Sequence, residues 1–276
     1  MASLNISHFE RIESYLPVQL LTPAGFCVAL AVLSGFIWVR YFILVGLFYQ
    51  LFWRSLARSE SRQYLHDQEI KPGQLAHEIK WSMFSTLIFA FSGWTLGVLW
   101  QNGWSLIYLP FRQLGWGYLP LSFLGLTFIH EVYFYLTHVW MHYPSVYRRI
   151  HSVHHFSRKT SPWASFSFHP GEALIQAAFL PLVSLILPLH PLVIIAYLTF
   201  MTLTAISNHL GVELVTSPGI TSWFISGEHH ALHHERFNCN YGLYYRFLDR
   251  WLATEAPGDR KVVTRKAKGE LCKNPS

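Results

Sequence analysis

The chain has 276 residues, of which 51% are hydrophobic and 17% aromatic, whereas only 13% are charged. Soluble domains carry roughly 25% charged residues, so the composition argues against a soluble protein and predicts an integral membrane one. The formal net charge is +6; we attribute it to membrane topology and anionic lipid, and expect no nucleic-acid partner. The three cysteines lie far apart and match neither a disulfide framework nor a CxxC metal site: Cys27, Cys239 and Cys272.

The apolar stretches predict membrane spans. The first run lacks a basic start and is too long for a signal peptide, so we interpret it as a span. Three runs exceed the roughly 20 residues that a crossing helix needs: 24–53, 81–100 and 117–140. Two shorter runs, 173–187 and 192–207, flank Pro188 and Pro191. They predict a thin hairpin that either crosses or dips into the membrane, with both ends on one side.

The basic residues predict the orientation. They concentrate in 54–80, in 141–170 and after 208, which the positive-inside rule places in the cytoplasm with five crossings. Arg40 is the awkward charge within the first run. One long span would let Arg40 lie off-centre, whereas two short segments would reverse the N-terminal side.

Histidines recur at spacings that bring side chains to one helical face. The set comprises His138 and His142 in "HVWMH", His151, His154 and His155 in "HSVHH", and His230, His233 and His234 in "HALHH". No single group surrounds an ion, so several must converge, and eight imidazoles exceed the ligands of one ion. We therefore predict two metals. Imidazole suits Zn, Cu, Fe and Ni; a nitrogen-rich pair with open positions suits iron that handles dioxygen, although zinc can occupy it by affinity.

The order of these groups resembles the fatty acid hydroxylase/sterol desaturase superfamily of membrane di-iron oxygenases. Glu131 precedes HxxxH by seven residues, two HxxHH boxes flank the hairpin, and "FNCNYG" and "LDRWLAT" follow. "FNCNYG" is most similar to the sterol-acting branch. The resemblance covers about 120–254, with two departures: Leu248 and Ala253 replace the family's Trp and Gly.

The resemblance implies that the eight box histidines are iron ligands, and that His209 joins them. His169, in "SFHPGE", is either a further ligand or a supporting residue. His229 is the alternative to His230 as the first ligand of the last box; we prefer His230 because its spacing repeats 151–155. Glu131 and Asp249 are candidate catalytic residues that orient an imidazole or shuttle a proton, and Asn240 is a candidate for the same supporting task.

The predicted fold is all-α: a multi-pass transmembrane bundle with a cytoplasmic helical cap that carries a histidine-rich dimetal site. We expect N-terminal spans and a loop in 1–116, a catalytic region in 117–254 and a basic tail in 255–276. The expected membrane is the endoplasmic reticulum in a eukaryote or the inner membrane in a bacterium.

The expected activity is O2-dependent hydroxylation or desaturation of a sterol-like or long-chain membrane lipid. The chain has no flavin, haem or dinucleotide fingerprint, so two electrons must come from NAD(P)H through a reductase and a cytochrome b5-like or ferredoxin-like carrier. The alternatives are a zinc-dependent membrane hydrolase, a histidine-rich transporter, and a non-catalytic metal- or lipid-binding protein. "HEVYF" at 130 lacks the second histidine of the zinc-protease motif HExxH.

Overall fold

The computed structural model describes residues 18–55, 70–214 and 217–256. Within these ranges the chain is helical without a strand, and only two isolated bridges occur, Ile107 with Leu189 and Phe224 with Tyr245. This confirms the predicted helical fold. Two predicted basic segments lie partly outside the described residues: 56–69 of the loop 54–80, and 257–276 of the tail.

Four described helices are long and apolar enough to cross a membrane. They are α1 (Pro23–Phe48, extended by a π-helical turn at Tyr49–Ser55), α2 (Gln74–Gln101), α3 (Tyr118–Met141) and α6 (Pro191–Asn208). Large apolar side chains such as Val32, Ile43 and Ile195 are 61–64% exposed, as expected for helices whose outer faces meet lipid. The protein is therefore a multi-pass membrane protein.

The first apolar run forms a single span. Its helix continues without a break from Pro23 through Trp53, so the alternative of two short segments is wrong. Arg40 lies within this helix and is partly exposed.

The fourth apolar run, for which both a crossing and a dip into the membrane were predicted, forms α5 (Pro170–Ser184), whose 15 residues are fewer than a crossing helix needs. The reason lies in residues 157–168, which run beside α2 in the same direction before α5 begins. Side chains of α2 donate hydrogen bonds to successive carbonyls of this passage, Gln74 to Lys159, Ser82 to Trp163 and Ser85 to Phe168. Ser92, further along α2, donates to the carbonyl of Ala177 within α5. Irregular backbone is tolerated in a bundle when protein groups satisfy it in this way. Residues 157–168 therefore pack along part of α2, and α5 packs along the rest, so α5 does not need the length of a full crossing helix.

The apolar core of the bundle lies among α3, α5 and α6. It contains Leu126, Phe179, Val193 and Tyr197, each at most 4% exposed. Pro170 and Pro191 occupy the first positions of α5 and α6, where a missing N–H costs nothing. Packing in this core holds the C-terminal ends of α3 and α6 next to each other.

Short helices at those ends form a cap. They are α4 (Pro144–Tyr147), α7 (Pro218–Thr221), α8 (Gly227–Arg236) and α9 (Phe247–Trp251), with 3₁₀ segments at His151–Phe156 and Pro162–Phe166. A further 3₁₀ turn, Phe111–Gln113, lies at the opposite end, where Phe111 stacks on His190 at the start of α6. The hydroxyl of Ser226 accepts a hydrogen bond from His229 N and caps the start of α8. The helix ends at Arg236, and the next residue, Phe237, is in the left-handed region (φ 66°). The last two histidine boxes both lie in this cap.

Candidate metal centre

Nine histidines converge into two adjacent clusters. Centre A contains five of them, His138, His142, His151, His155 and His233. Centre B contains four, His154, His209, His230 and His234. Within each centre the candidate ligand atoms all lie within 4.8 Å of one another. The structure thus brings together all eight box histidines and His209, as the sequence predicted.

Each HxxHH box is divided between the two centres in a reciprocal way. The first and third histidines of the box 151–155 enter centre A, and its middle histidine, His154, enters centre B. The box 230–234 does the opposite, since His233 alone enters centre A. On α8 this division follows from helix geometry: positions i and i+4 point roughly 40° apart, whereas i+3 lies about 100° from i+4.

Backbone carbonyls fix the orientation of several imidazoles. The Nδ1 atoms of His138, His209 and His233 lie 2.7–2.8 Å from the carbonyl oxygens of Tyr241, Ala205 and Cys239. A carbonyl oxygen only accepts, so each Nδ1 donates its N–H, and in a neutral ring Nε2 then carries the lone pair. These lone pairs point into the two centres.

The spacing of the Nε2 atoms fits bound cations. Neighbouring Nε2 atoms within a centre lie 3.0–3.3 Å apart. This separation subtends roughly 90–105° at an ion about 2.1 Å from each nitrogen, between octahedral and tetrahedral angles. Facing lone pairs repel unless a cation lies among them. The donor set therefore fits two nitrogen-ligated metal ions, and the described cluster is able to bind metal.

Burial keeps the ligands in the neutral, metal-binding form. Loss of hydration, reinforced by neighbouring imidazoles, holds the pKa of His154, His155, His233 and His234 well below the usual range. Burial also lowers the pKa of His209 to about 4. Both centres are consequently ready to receive a cation at neutral pH.

The two centres differ in exposure. All four histidines of centre B are buried, whereas His142 of centre A is partly exposed. The Tyr241 ring packs against the imidazoles of His142, His138 and His233, with centroids 5.1–5.6 Å apart. Centre A is therefore the one that opens towards the surroundings.

Glu172 supports centre A, although sequence reasoning missed it. It is 2% exposed, and its Oε1 lies 2.9 Å from His151 Nδ1. A carboxylate on the far nitrogen of a ligating histidine fixes the ring and raises its basicity. The acidic position of "HPGE" was the signal in the sequence.

His169, two residues earlier, is in neither cluster, so its prediction as a metal ligand is not supported. Its Nδ1 accepts a hydrogen bond from Gly171 N at 3.1 Å and caps α5. His190 caps α6 through Leu192 N in the same way. Both histidines precede proline, so the repeated His-Pro pair is a helix-start signal here.

Glu131 holds backbone rather than an imidazole. It is fully buried, and its carboxylate accepts hydrogen bonds from the amides of Leu243, Tyr244 and Tyr245 at 2.6–3.3 Å. These contacts are with backbone amides, so they do not support the predicted role of Glu131 in orienting a metal ligand. This carboxylate instead fixes the loop that follows "FNCNY".

Asp249 fixes the preceding part of the same loop. It accepts from Tyr241 N (2.8 Å), Gly242 N (3.0 Å) and Thr254 Oγ1 (2.7 Å), and lies 3.1 Å from His229 Nε2. Burial alone would raise the pKa of Asp249, but these hydrogen bonds outweigh it and lower the pKa. His229 thus pairs with Asp249 while His230 enters centre B, as preferred from the spacing. Asp249 acts on a metal ligand only indirectly. It fixes the backbone of Tyr241, and the carbonyl oxygen of Tyr241 accepts a hydrogen bond from His138.

Two positive-φ residues complete this region. Asn240 (φ 59°) donates to His229 O at 2.9 Å and accepts from Ala256 N at 2.7 Å, which is the predicted supporting role in a local form. Ala253 has φ 54°, a conformation that glycine adopts without strain. The family's glycine at this position therefore has a steric explanation.

Comparison with known proteins agrees with this geometry. The sequence model of the fatty acid hydroxylase family matches residues 123–254. Similar curated proteins include the Delta(7)-sterol 5(6)-desaturase ERG3 of Saccharomyces cerevisiae, 30% identical over 219 residues (78% of this chain, 58% of that protein). The lathosterol oxidase of Mus musculus is 31% identical over 188 residues (67% of this chain, 62% of that protein).

A third relative, the Delta(7)-sterol 5(6)-desaturase ERG3B of Gibberella zeae, is 27% identical over 197 residues (71% of this chain, 61% of that protein). The chain therefore spans 58–62% of the length of these relatives. No solved structure matches it significantly. Residues 123–254 of the chain are therefore similar to the fatty acid hydroxylase family.

Proposed function

We propose that this protein is an O2-dependent di-iron hydroxylase or desaturase of a sterol-like or long-chain lipid in the membrane. The observation that carries the proposal is the reciprocal convergence of nine imidazoles on two centres. We assign all nine as metal ligands, with iron as the functional metal and zinc as a possible substitute. Iron in such a ligand set supplies O2-dependent removal of hydrogen from an unactivated C–H bond, given two external electrons.

The chain's own residues hold the ligands in place and limit access. Carbonyl oxygens of the 239–241 segment accept the Nδ1–H groups of His138 and His233. Glu172 orients His151, while Glu131 and Asp249 fix the 241–245 backbone. His142 is the one ligand of the nine that is partly exposed, and the other eight are buried. Water is therefore excluded around those eight, and a substrate carbon is expected to approach centre A beside His142.

A lipid substrate agrees with the surroundings of the centres. The ligands lie at the ends of membrane helices, His138 in the last turn of α3 and His209 directly after α6. An apolar groove of 390 Å³ lies between α2 and α5, lined by Leu87, Ile88, Phe91, Pro170, Gly171 and Leu174. The same turn of α5 carries Glu172. We propose a sterol as the substrate because the relatives named above are sterol desaturases and a lathosterol oxidase.

The electron source and orientation follow from the same proposal. We propose that NAD(P)H supplies electrons through a reductase and an external carrier of the cytochrome b5 or ferredoxin kind. We also propose that the centres face the cytoplasm, as the positive-inside rule predicts from the basic segments. In this arrangement 117–254 is the catalytic region, and the spans of 1–116 support it.

The competing functions have less support in the contacts. A transporter would need ligands along its spans, whereas these lie at helix ends. A zinc hydrolase needs a general base beside its metal. The carboxylates of Glu131 and Asp249 contact backbone amides, and that of Glu172 contacts the Nδ1 side of His151.

The test is mass spectrometry of lipid extracts from cells with and without the chain, supplied with ¹⁸O2. A hydroxylase adds one labelled oxygen atom to a lipid, and a desaturase removes two hydrogen atoms without adding the label. Either product should disappear with His154→Ala or His233→Ala. Unchanged lipid profiles in cells that contain the chain and its electron donors would refute the proposal.

A further inference from the structure

Glu78 on α2 is a carboxylate that none of the assigned roles uses. It is fully buried (0% exposed) in the first half of a membrane-crossing helix. A buried carboxylate is costly unless several hydrogen bonds satisfy it. Its surroundings therefore indicate what it holds.

The donors to Glu78 come mainly from the segment that follows the box 151–155. Ser157 Oγ donates to Oε1 at 2.7 Å, and Ser161 Oγ donates to Oε2. Gln74 Nε2 donates to Oε1 at 2.7 Å and also to Lys159 O at 2.8 Å. The Glu78 carboxylate thus binds the start and the end of the 157–161 turn, and Gln74, one turn earlier on α2, binds the middle.

The box needs an external support of this kind. Residues His151–Phe156 form a 3₁₀ helix, in which positions i and i+3 eclipse. In agreement with this geometry, the rings of His151 and His154 stack at 5.7 Å and 30°. They enter different, adjacent centres, so the position of this short segment affects both centres. At the exit of the box, Ser157 N donates only one long backbone bond, to His154 O at 3.4 Å. The side chains of α2 supply the remaining contacts.

We propose that Glu78 is a positioning residue for both metal centres. By fixing Ser157 and Ser161 it sets where His154 and His155 lie, and these two histidines belong to centres B and A respectively. This inference rests on the proposed metal sites, but it does not require the lipid oxidation. Loss of Glu78 should therefore weaken both centres together, unlike the loss of Glu172, which contacts only a ligand of centre A.

The test measures Co²⁺ binding to the purified full chain by its absorption bands, in parallel with helix content by circular dichroism. Glu78→Ala should lower Co²⁺ affinity at both centres by about 10- to 100-fold, as substitutions behind metal ligands commonly do. Glu78→Gln keeps an acceptor and the same shape, and the serine hydroxyls are able to reorient, so it should restore most of the affinity. The matched control is Ser92→Ala, which removes a hydrogen bond of the same helix to Ala177 O, away from the box.

A second variant keeps the test decisive if Glu78→Ala does not fold. Ser157→Ala/Ser161→Ala removes the same contacts from the other side and should reproduce the loss. Adding Glu78→Gln to this double variant should lower the Co²⁺ affinity little further, because both serine partners of the carboxylate are already absent. Wild-type Co²⁺ affinity in the serine double variant would overturn the proposal, as would an equal loss in Ser92→Ala. Normal Co²⁺ binding without any lipid product would refute the oxygenase function alone.

Discussion

His154 and His155 are adjacent in the chain, yet they belong to different metal centres. Their rings are 5.7 Å apart and nearly perpendicular, at 79°. His155 Nε2 lies 3.1 Å from His233 Nε2 in centre A, and His154 Nε2 lies 3.3 Å from His209 Nε2 in centre B. The peptide that joins these two residues therefore links the centres directly and sets the position of one relative to the other.

Single substitutions of this pair should remove different metals. His154→Ala takes one of four ligands from centre B, and His155→Ala takes one of five from centre A. We expect each variant to retain close to one metal per chain by elemental mass spectrometry, and neither to form lipid product. His8→Ala is the control, since that residue is isolated in the sequence. Full occupancy in both variants would contradict the assignment.

Removing the carboxylate behind His151 should affect centre A selectively. Glu172→Ala leaves the Nδ1 side of His151 without its partner at 2.9 Å, so we expect metal affinity at centre A to fall about 10- to 100-fold. Titration with Co²⁺ should show one weakened and one unchanged site. Gln176→Ala, one turn further along α5, is the control and should leave both affinities unchanged. Equal weakening of both sites would argue for a general packing defect.

Gly242 should not tolerate a side chain. A Cβ there would lie 2.7 Å from Tyr245 O and 3.0 Å from both Asp249 Oδ2 and Glu131 Oε1. Gly242→Ala would push apart the two carboxylates that fix the 241–245 loop, at a cost of about 1–3 kcal/mol. A thermal melt in detergent should show the lower stability. Gly125→Ala, where nothing lies within 4 Å of the new Cβ, should be neutral or stabilising.

Ala253→Gly should stabilise the protein. At φ 54° an L-residue is strained by roughly 1 kcal/mol, and glycine is not. The expected gain in unfolding free energy is therefore about 1 kcal/mol, seen as a higher Tm. Ala178→Gly within α5 is the matched comparison and should lower stability by about the same amount. A lower Tm for Ala253→Gly would mean that contacts of the methyl group outweigh the strain.

The metal-free protein should lose stability as the pH falls. Burial lowers the pKa of His209 to about 4, and it holds the pKa of five further ligands well below the usual range: His154, His155, His230, His233 and His234. An unfolded histidine titrates near 6.5. Below that pH the unfolded state binds more protons, so stability falls by about 1.4 kcal/mol per pH unit for each histidine that titrates only when unfolded. Melts from pH 7.5 to 5 should show this loss, and bound Zn²⁺ should reduce it. A flat profile without metal would contradict burial of neutral imidazoles.

The periodicity of the sequence was sufficient to predict the helical spans, the convergent boxes and the choice of His230 over His229. It did not predict how the box 151–155 is divided, because a 3₁₀ segment supported by α2 does not follow α-helical spacing. It also treated 173–187 as a possible crossing, since hydropathy does not show that residues 157–168 cover part of α2. The roles of Glu131 and His169 depend on backbone amides, which no side-chain pattern reveals.

The most direct test of two nitrogen-ligated metal centres is the amount of iron bound per chain in protein loaded and purified anaerobically. The proposed function predicts two irons per chain, with His209→Ala and His142→Ala each removing about one. A single tightly bound ion that survives substitution of every ligand in one centre would contradict the two-centre arrangement.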